Sequence, residues 1–194
     1  IPARLNRCPD HVVAFRPCFK LYKLQSNLCG AEFHQVDVRG DFTPSLQELL
    51  GAVNDATAIV FLTTPDNPSG FAPHVDDLLD FHHRLQDDCL LVVDEAYMDF
   101  AVPQERYSIM PWAVRTPNLI VLRTFSKLYG LAGLRLGYGI MPARFADYLL
   151  RVKLPFSVNV LAEAAGIAAL DDDVFRSETI RTVVRGREML THAL

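Results

Sequence analysis

Lys127 is a candidate nucleophile because it closely follows an apolar run, Leu119–Leu122, and precedes a stretch rich in small residues. A lysine at the end of a buried strand can be desolvated, which lowers the pKa of its amine and makes it reactive toward aldehydes. This environment suits Schiff-base chemistry. An isolated lysine is far more often a surface residue, so the position needs support from its neighbours.

Asp94 is the second candidate, because a carboxylate at the end of an apolar strand is costly unless a cation or strong donors face it. A protonated pyridine nitrogen would be such a partner; a helix cap or a salt bridge is the alternative. Tyr97 lies three residues later, and Asn67 lies in a turn flanked by prolines. Both could hydrogen-bond a phenolate oxygen on the same ring, although Asn67 needs no function as a turn residue.

A third group of residues suits a phosphate. Arg135 lies eight residues after Lys127, and Thr124 and Ser126 precede that lysine. A guanidinium fork and two hydroxyls bind phosphate oxygens well. The glycines near Arg135 do not form the GxGxxG fingerprint of a dinucleotide site.

These residues need a scaffold that brings strand ends together, and the hydrophobic pattern predicts one. Apolar runs typical of buried parallel strands alternate with segments of helical periodicity. The predicted strands are Val12–Phe15, Ala58–Thr63, Leu90–Asp94, Leu119–Thr124 and Arg135–Ile140. The predicted helices are Phe19–Leu28, Leu46–Val53, Val75–Gln86, Arg106–Val114, Phe145–Val152, Val158–Leu170 and Val174–Leu194. We therefore predict an α/β fold, a three-layer, mostly parallel sheet with helices on both faces and a site at the carboxyl ends of the strands.

Composition narrows the class of protein further. The chain has 194 residues, is 50% hydrophobic and carries a net charge of −4, which excludes intrinsic disorder and allows one domain with a sizeable core. Its 19 basic residues against 23 acidic ones argue against a nucleic-acid partner, and the apolar runs are too short to predict a membrane span. We expect a cytoplasmic protein. Its cysteines, Cys8, Cys18, Cys29 and Cys89, are expected to be reduced, partly buried thiols.

Four motifs together resemble the pyridoxal-phosphate-dependent aminotransferases of class I/II, which have fold type I. They occur in the order of that family and at its spacing, with 27 residues from Asn67 to Asp94. The motifs are Asn67-Pro68-Ser69-Gly70, Asp94-Glu95-Ala96-Tyr97, Ser126-Lys127 and Gly133-Leu134-Arg135-Leu136-Gly137-Tyr138. Within the family, the stretch from Thr124 to Arg135 looks most like the histidinol-phosphate aminotransferases.

The resemblance implies a role for each candidate. Lys127 would be the catalytic residue, which binds pyridoxal 5'-phosphate covalently and then moves a proton from the substrate α-carbon. Asp94 would pair with the pyridine nitrogen, and Tyr97 and Asn67 would bond the phenolic oxygen. Thr124, Ser126 and Arg135 would bind the phosphate. Phe19 would stack on the ring, with Tyr22 less favoured for that place and core packing as the alternative for Phe19.

The resemblance also implies how the chain relates to a whole enzyme. Residues 1–194 would be the pyridoxal-phosphate-binding large domain, in which the helices from about residue 142 lead toward a C-terminal small domain. The expected partners are an amino acid, a 2-oxo acid and a second copy of the chain. The expected reaction is transamination of histidinol phosphate with 2-oxoglutarate in histidine biosynthesis. Another class I/II aminotransferase, a threonine-phosphate decarboxylase and an inactive cofactor-binding fragment are the alternatives.

Overall fold

The fold is built on a six-stranded sheet in the order β2-β1-β3-β4-β5-β6. A computed structural model describes residues 10–194 of the chain. The strands are β1 (His11–Arg16), β2 (Glu32–Asp37), β3 (Thr57–Thr63), β4 (Leu90–Asp94), β5 (Leu119–Thr124) and β6 (Gly137–Ile140). The helices are α1 (Lys20–Leu28), α2 (Leu46–Gly51), α3 (Val75–His83), α4 (Ala143–Val152), α5 (Val160–Asp171) and α6 (Asp173–Ala193).

The strand directions confirm the predicted mostly parallel sheet. Strands β1 to β5 pair in parallel, and β6 runs antiparallel to β5. The strand order reverses between β1 and β3, because β2 is added on one side of β1 and all later strands on the other. In open α/β sheets a crevice forms outside the carboxyl ends of the strands at such a point. The topology therefore favours a site beyond the ends of β1 and β3.

Helices cover both faces of the sheet, as the pattern predicts. On one face, Leu49 of α2 and Leu78 of α3 are fully buried against strand residues such as Val60 and Val93. On the other face, Phe145 of α4 packs with a smaller buried group that includes Val92 and Ile120. Strands apolar on both sides need a cover on both sides. The three-layer arrangement follows from that requirement.

Strand β2 is an element that the hydrophobic pattern did not predict. Among residues 10–194 it lies at the edge of the sheet and pairs with β1 alone. Its sequence, EFHQVD, carries polar residues at most positions, and none of its residues is buried. Charged and polar side chains are common on edge strands, where they oppose pairing with other chains. Such a segment lacks the apolar run by which the central strands were found.

The prediction of a helix over Arg106–Val114 is wrong. This segment forms two short 3-10 turns, Gln104–Arg106 and Met110–Trp112. Pro111 lacks an N–H and disfavours a continuous helix through it. The backbone N–H of Ile109 instead donates to the buried Glu95 carboxylate at 2.8 Å, and the Ser108 hydroxyl donates to the same carboxylate. The Ile109 N–H, which would bond within the segment if it were a helix, thus donates to a buried carboxylate of another element.

The cysteines only partly match the expectation of buried thiols. Cys89 is buried in the core, Cys18 is half-buried and Cys29 is exposed. Cys8 lies outside the described residues. Within residues 10–194, none of the helices combines the length and the apolar character that crossing a membrane requires.

Candidate functional site

A cleft of about 690 Å³ opens at the carboxyl ends of the parallel strands. It lies where the reversal of strand order predicts a crevice. Its walls come from the segments that follow β1, β3, β4 and β5, and from the turn before β6. The residues proposed for the site from the sequence all line it: Phe19, Asn67, Asp94, Tyr97, Thr124, Ser126, Lys127 and Arg135.

Asp94 is held at the end of β4 by two donors. The Tyr22 hydroxyl donates to Oδ2 at 2.5 Å, and the backbone N–H of Ala96 donates to Oδ1 at 3.1 Å. No salt bridge within residues 10–194 includes Asp94. The salt-bridge alternative therefore does not apply in the described part of the chain, and the carboxylate presents its charge to the cleft.

Tyr22 supports Asp94 in a way that the sequence did not indicate. Its ring stacks flat on Phe61, with the ring centroids 4.4 Å apart, and its hydroxyl also lies 3.2 Å from the Thr63 hydroxyl. Burial, and then the negative charge of Asp94, raise the pKa of Tyr22 above its ordinary value. The phenol thus stays protonated and acts as a donor. The resemblance offers Tyr22 only as a less favoured ring for stacking on the cofactor, and this buried ring does not line the cleft.

Asn67 and Tyr97 meet across the cleft. The Asn67 amide donates to the Tyr97 hydroxyl at 3.0 Å, although the two residues belong to turns after different strands. The turn that carries Asn67 is fixed by Asp66, whose carboxylate accepts the Ser69 hydroxyl at 2.5 Å. The pair can jointly hydrogen-bond one oxygen atom of a ligand.

Lys127 lies beside this pair, with its Nζ 5.1 Å from the centre of the Tyr97 ring. A cation at this distance over an aromatic ring is attracted by the ring's negative face. The side chain is exposed within the open cleft, so the expectation of a desolvated lysine is not met here. The amine is accessible to a ligand.

Arg135, Ser126 and Thr124 form the opposite, positively charged part of the cleft. The Arg135 guanidinium donates to the Ala132 carbonyl at 2.6 Å and lies 3.5 Å from the Ser126 hydroxyl. The Thr124 hydroxyl accepts the backbone N–H of Ser126 at 3.0 Å. Arg135 adopts a left-handed conformation with φ 56°, which is uncommon for a residue with a side chain. Such conformations concentrate at functional sites.

Phe19 is 55% exposed, which excludes the alternative of core packing. It lies at the start of α1 and contacts Tyr22 edge to face, with the ring centroids 5.7 Å apart. Its ring is therefore available to cover a planar ligand.

Arg123 also lines the cleft, although the sequence does not predict it as a site residue. It is the last residue but one of β5 and a buried cation, with Glu95 and Asp99 each 2.9 Å from its guanidinium. Burial raises the pKa of Glu95, and the Arg123 charge opposes that shift. A single charged residue inside an apolar run is the sequence signal for such a buried pair. The pair fixes the turn after β4 against the end of β5.

The residues of the cleft fit pyridoxal 5'-phosphate. Asp94 offers a carboxylate that no described cation neutralises, which matches a protonated ring nitrogen. Asn67 and Tyr97 offer hydrogen bonds to a ring oxygen, and Arg135 with Ser126 offers a phosphate site. The site thus carries opposite charges for the two ends of one dipolar ligand, with an accessible amine in the same cleft.

Comparison with known proteins gives one family for this chain. The sequence pattern of the family "Aminotransferase class I and II" matches residues 5–193. The chain is 54% identical to a histidinol-phosphate aminotransferase of Oleidesulfovibrio alaskensis over 95% of its length, and this match covers 48% of that relative. It is 55% identical to the enzyme of that name from Nitratidesulfovibrio vulgaris over its whole length, which covers 52% of the relative.

Solved structures agree with the sequence comparison. The histidinol-phosphate aminotransferase from Sinorhizobium meliloti, crystallised in complex with pyridoxal-5'-phosphate, superposes with a TM-score of 0.87 at 30% identity. That superposition covers 94% of this chain and 49% of the other. The chain therefore spans about half the length of the curated relatives that it matches.

Proposed function

The chain belongs to the class I and II aminotransferases, and from that premise we propose that it binds pyridoxal 5'-phosphate for the transamination of histidinol phosphate. We propose further that residues 1–194 form the cofactor-binding large domain of such an enzyme. The observation that carries the proposal is the Asp94 carboxylate. It is oriented by Tyr22 and Ala96, lacks a cationic partner among the described residues, and shares its cleft with Lys127 and Arg135.

The proposed roles follow from the donors and charges in the cleft. When bound, pyridoxal phosphate supplies an aldehyde that condenses with amines and a ring that withdraws electrons from the substrate α-carbon. Lys127 would hold that aldehyde carbon through its amine and, once displaced by the substrate, move the α-proton to the cofactor C4′. Asp94 would keep the ring nitrogen protonated, because its negative charge stabilises the cation beside it.

The other residues would bind and orient the ring. Asn67 and Tyr97, already hydrogen-bonded to each other, would both bond its phenolic oxygen. Thr124, Ser126 and Arg135 would hold the phosphate, and the exposed ring of Phe19 would cover one face. Fixing the ring from three sides would leave Lys127 as the group that moves during the reaction.

Binding of pyridoxal phosphate can be followed by its visible absorbance. We expect the protein to gain an absorbance band on mixing with the cofactor, and Lys127→Ala to abolish the band. Lys20 also lines the cleft, so Lys20→Ala is the matched control and should keep the band. A wild-type protein without the band, or a Lys127→Ala variant that keeps it, would contradict the proposed role of Lys127.

The choice of substrate rests on the names of the relatives, and it needs its own test. We expect histidinol phosphate to alter the absorbance band in a single turnover at lower concentration than aspartate, an aromatic amino acid or threonine phosphate does. Loss of the band with release of carbon dioxide from threonine phosphate would instead identify a decarboxylase. A stronger response to aspartate or to an aromatic amino acid would identify another aminotransferase of the class.

We also propose that the protein acts as a homodimer in the cytoplasm, with an amino acid and a 2-oxo acid as its small-molecule partners. Support for association comes from large apolar side chains that are exposed on the C-terminal helices, such as Leu150, 68% exposed, and Leu161, 70% exposed. Exposed apolar patches commonly mark interfaces. Light scattering after size-exclusion chromatography should give twice the 21.8 kDa chain mass, and a monomeric mass at every concentration would refute the dimer.

A further inference from the structure

A second cluster of reactive side chains lies far from the cleft, at the opposite, amino-terminal ends of β1 and β2. His11 begins β1 and is paired in register with Glu32, the first residue of β2. His34 lies two residues after Glu32 on the same strand, so the two side chains project from one face. Partner residues of a parallel pair point to the same side, and the three side chains therefore converge.

The distances within the cluster match the first shell of a small metal ion. His11 Nε2 lies 3.4 Å and His34 Nε2 lies 3.5 Å from the same oxygen, Oε2 of Glu32. The potential ligand atoms all lie within 4.8 Å of one another. Tetrahedral coordination with Zn–N and Zn–O bonds of about 2.0–2.1 Å requires ligand atoms about 3.4 Å apart. The cluster thus approaches that spacing.

The same distances are poor for direct pairing. A charge-assisted hydrogen bond between a histidine and a carboxylate has a length of about 2.7–2.9 Å. Both nitrogens lie farther from the carboxylate than that, while the two imidazole rings lie close together, with centroids 4.4 Å apart. The three groups are therefore better arranged around a shared point than in contact with one another.

The chemistry and burial of the ligands indicate which ion fits. Two imidazoles and one carboxylate form a mixed nitrogen and oxygen set, which suits Zn²⁺ and leaves a fourth position for water. The His11 side chain is only 19% exposed and gives the cluster a fixed base, whereas those of His34 and Glu32 are 44% and 56% exposed and remain accessible to an ion from solvent. The two strands supply a rigid backbone for all three ligands.

We propose that His11, Glu32 and His34 form a Zn²⁺ site that links the edge strand β2 to β1. In the described part of the chain, strand β2 pairs with β1 alone, so a metal bridge to β1 adds a second connection. An ion that binds the folded state alone stabilises it by mass action. The site is separate from the cleft and does not depend on the proposed aminotransferase activity.

The test uses the full chain without a polyhistidine tag, freed of metal with a chelator and then titrated with Zn²⁺ against a chromogenic zinc indicator. We expect one Zn²⁺ per chain and a melting temperature that rises with Zn²⁺ concentration. Glu32→Gln and His34→Ala should each weaken binding at least about tenfold and abolish the rise in melting temperature. Both positions are exposed, so these variants should fold, which circular dichroism of the metal-free proteins will show.

The matched control is His83→Ala, because His82 and His83 form the other close histidine pair among the described residues, with ring centroids 6.0 Å apart. This variant should bind Zn²⁺ as the wild type does. The proposal is overturned if the wild type takes up no Zn²⁺ at concentrations that saturate the indicator. It is also overturned if folded Glu32→Gln and His34→Ala both bind with wild-type affinity.

Discussion

Asp94 has one side-chain donor, the Tyr22 phenol, besides the backbone N–H of Ala96, and the phenol can be removed while the aromatic ring is kept. Tyr22→Phe deletes the hydroxyl that donates to Asp94 at 2.5 Å and keeps the ring that stacks on Phe61. A hydrogen bond to a charged group contributes about 1.5–3 kcal/mol. We expect the variant to bind pyridoxal phosphate at least about tenfold more weakly in an absorbance titration, because a tenfold change in affinity corresponds to about 1.4 kcal/mol.

Tyr148→Phe provides the control for Tyr22→Phe. Tyr148 lies on α4, is 56% exposed and does not line the cleft, so loss of its hydroxyl should leave cofactor affinity unchanged. Wild-type affinity in Tyr22→Phe would show that Ala96 alone orients the carboxylate.

The partly buried His82 should make the stability of the protein depend on pH. Its Nε2 lies 2.9 Å from the Pro117 carbonyl and must donate to it, while its Nδ1 is buried and has no partner among the described residues. Burial lowers the pKa of His82 below its ordinary value of 6.5, and the Pro117 carbonyl opposes that shift. Below this value the unfolded chain takes up a proton more readily than the folded one, so stability falls as the pH falls.

Urea unfolding at about pH 7.5 and about pH 5.5, on either side of the ordinary histidine pKa, measures this effect. The free energy of unfolding should drop less between the two values in His82→Gln than in the wild type. His192 is exposed near the end of α6, and His192→Gln should keep the wild-type pH dependence. An identical drop in wild type and His82→Gln would contradict the assignment.

At the residue scale, the sequence indicated the cleft residues because they follow apolar runs. Asp94 and Lys127 could be found in this way, since each lies just beyond a strand that its neighbours make recognisable. Tyr22 could not, because its contact with Asp94 spans 72 positions and depends on how α1 lies over β3. Spacing along the chain predicts which residues reach one edge of a sheet, but it does not predict which side chains touch across it.

At the scale of elements, the close approach of β6 to β5 limits what can stand at Gly137. A Cβ atom added there would lie 2.9 Å from the backbone oxygen of Arg123, on the paired strand. Since the obstacle is backbone, the strands must separate to make room. We expect Gly137→Ala to lower the free energy of unfolding by about 1–3 kcal/mol and to weaken cofactor binding, because β5 and the turn before β6 carry the proposed phosphate ligands.

Gly186→Ala is the matched control for Gly137→Ala. Gly186 lies in α6, and nothing lies within 4 Å of a Cβ built on it. Alanine favours a helix over glycine by up to about 1 kcal/mol, so this variant should be slightly more stable in a urea titration. If Gly137→Ala were as stable as the wild type, the pairing of β6 with β5 would be looser than the structure indicates.

The central strands of the sheet could be predicted because their burial is uniform. Strands β3, β4 and β5 carry apolar residues on both faces and were recognisable from that run alone. The edge strand β2 and the turns over residues 104–112 were not, because partners elsewhere decide their conformation. The local sequence pattern predicts an element whose conformation is imposed by burial in the core. It does not predict an element whose conformation is imposed by one neighbouring strand or by one buried carboxylate.

At the scale of the whole molecule, stability is unevenly distributed between the sheet and the C-terminal helices. Val60, Leu91, Val93 and Val121 on the central strands are 0% exposed. Helix α6 is 21 residues long and contains no buried residue. Local opening costs least where few apolar groups are buried. The backbone hydrogen bonds of α6 should therefore open far more often than those of the sheet.

Hydrogen–deuterium exchange resolved by peptide measures this difference directly. We expect the amides of β3, β4 and β5 to exchange slowest and those of the second half of α6 to exchange fastest among the helices. Repeating the measurement at two protein concentrations separates the causes of any protection, because a face covered by a second chain gains protection as the concentration rises. Protection of α6 equal to that of the sheet at both concentrations would contradict the prediction, since no burial within residues 10–194 accounts for it.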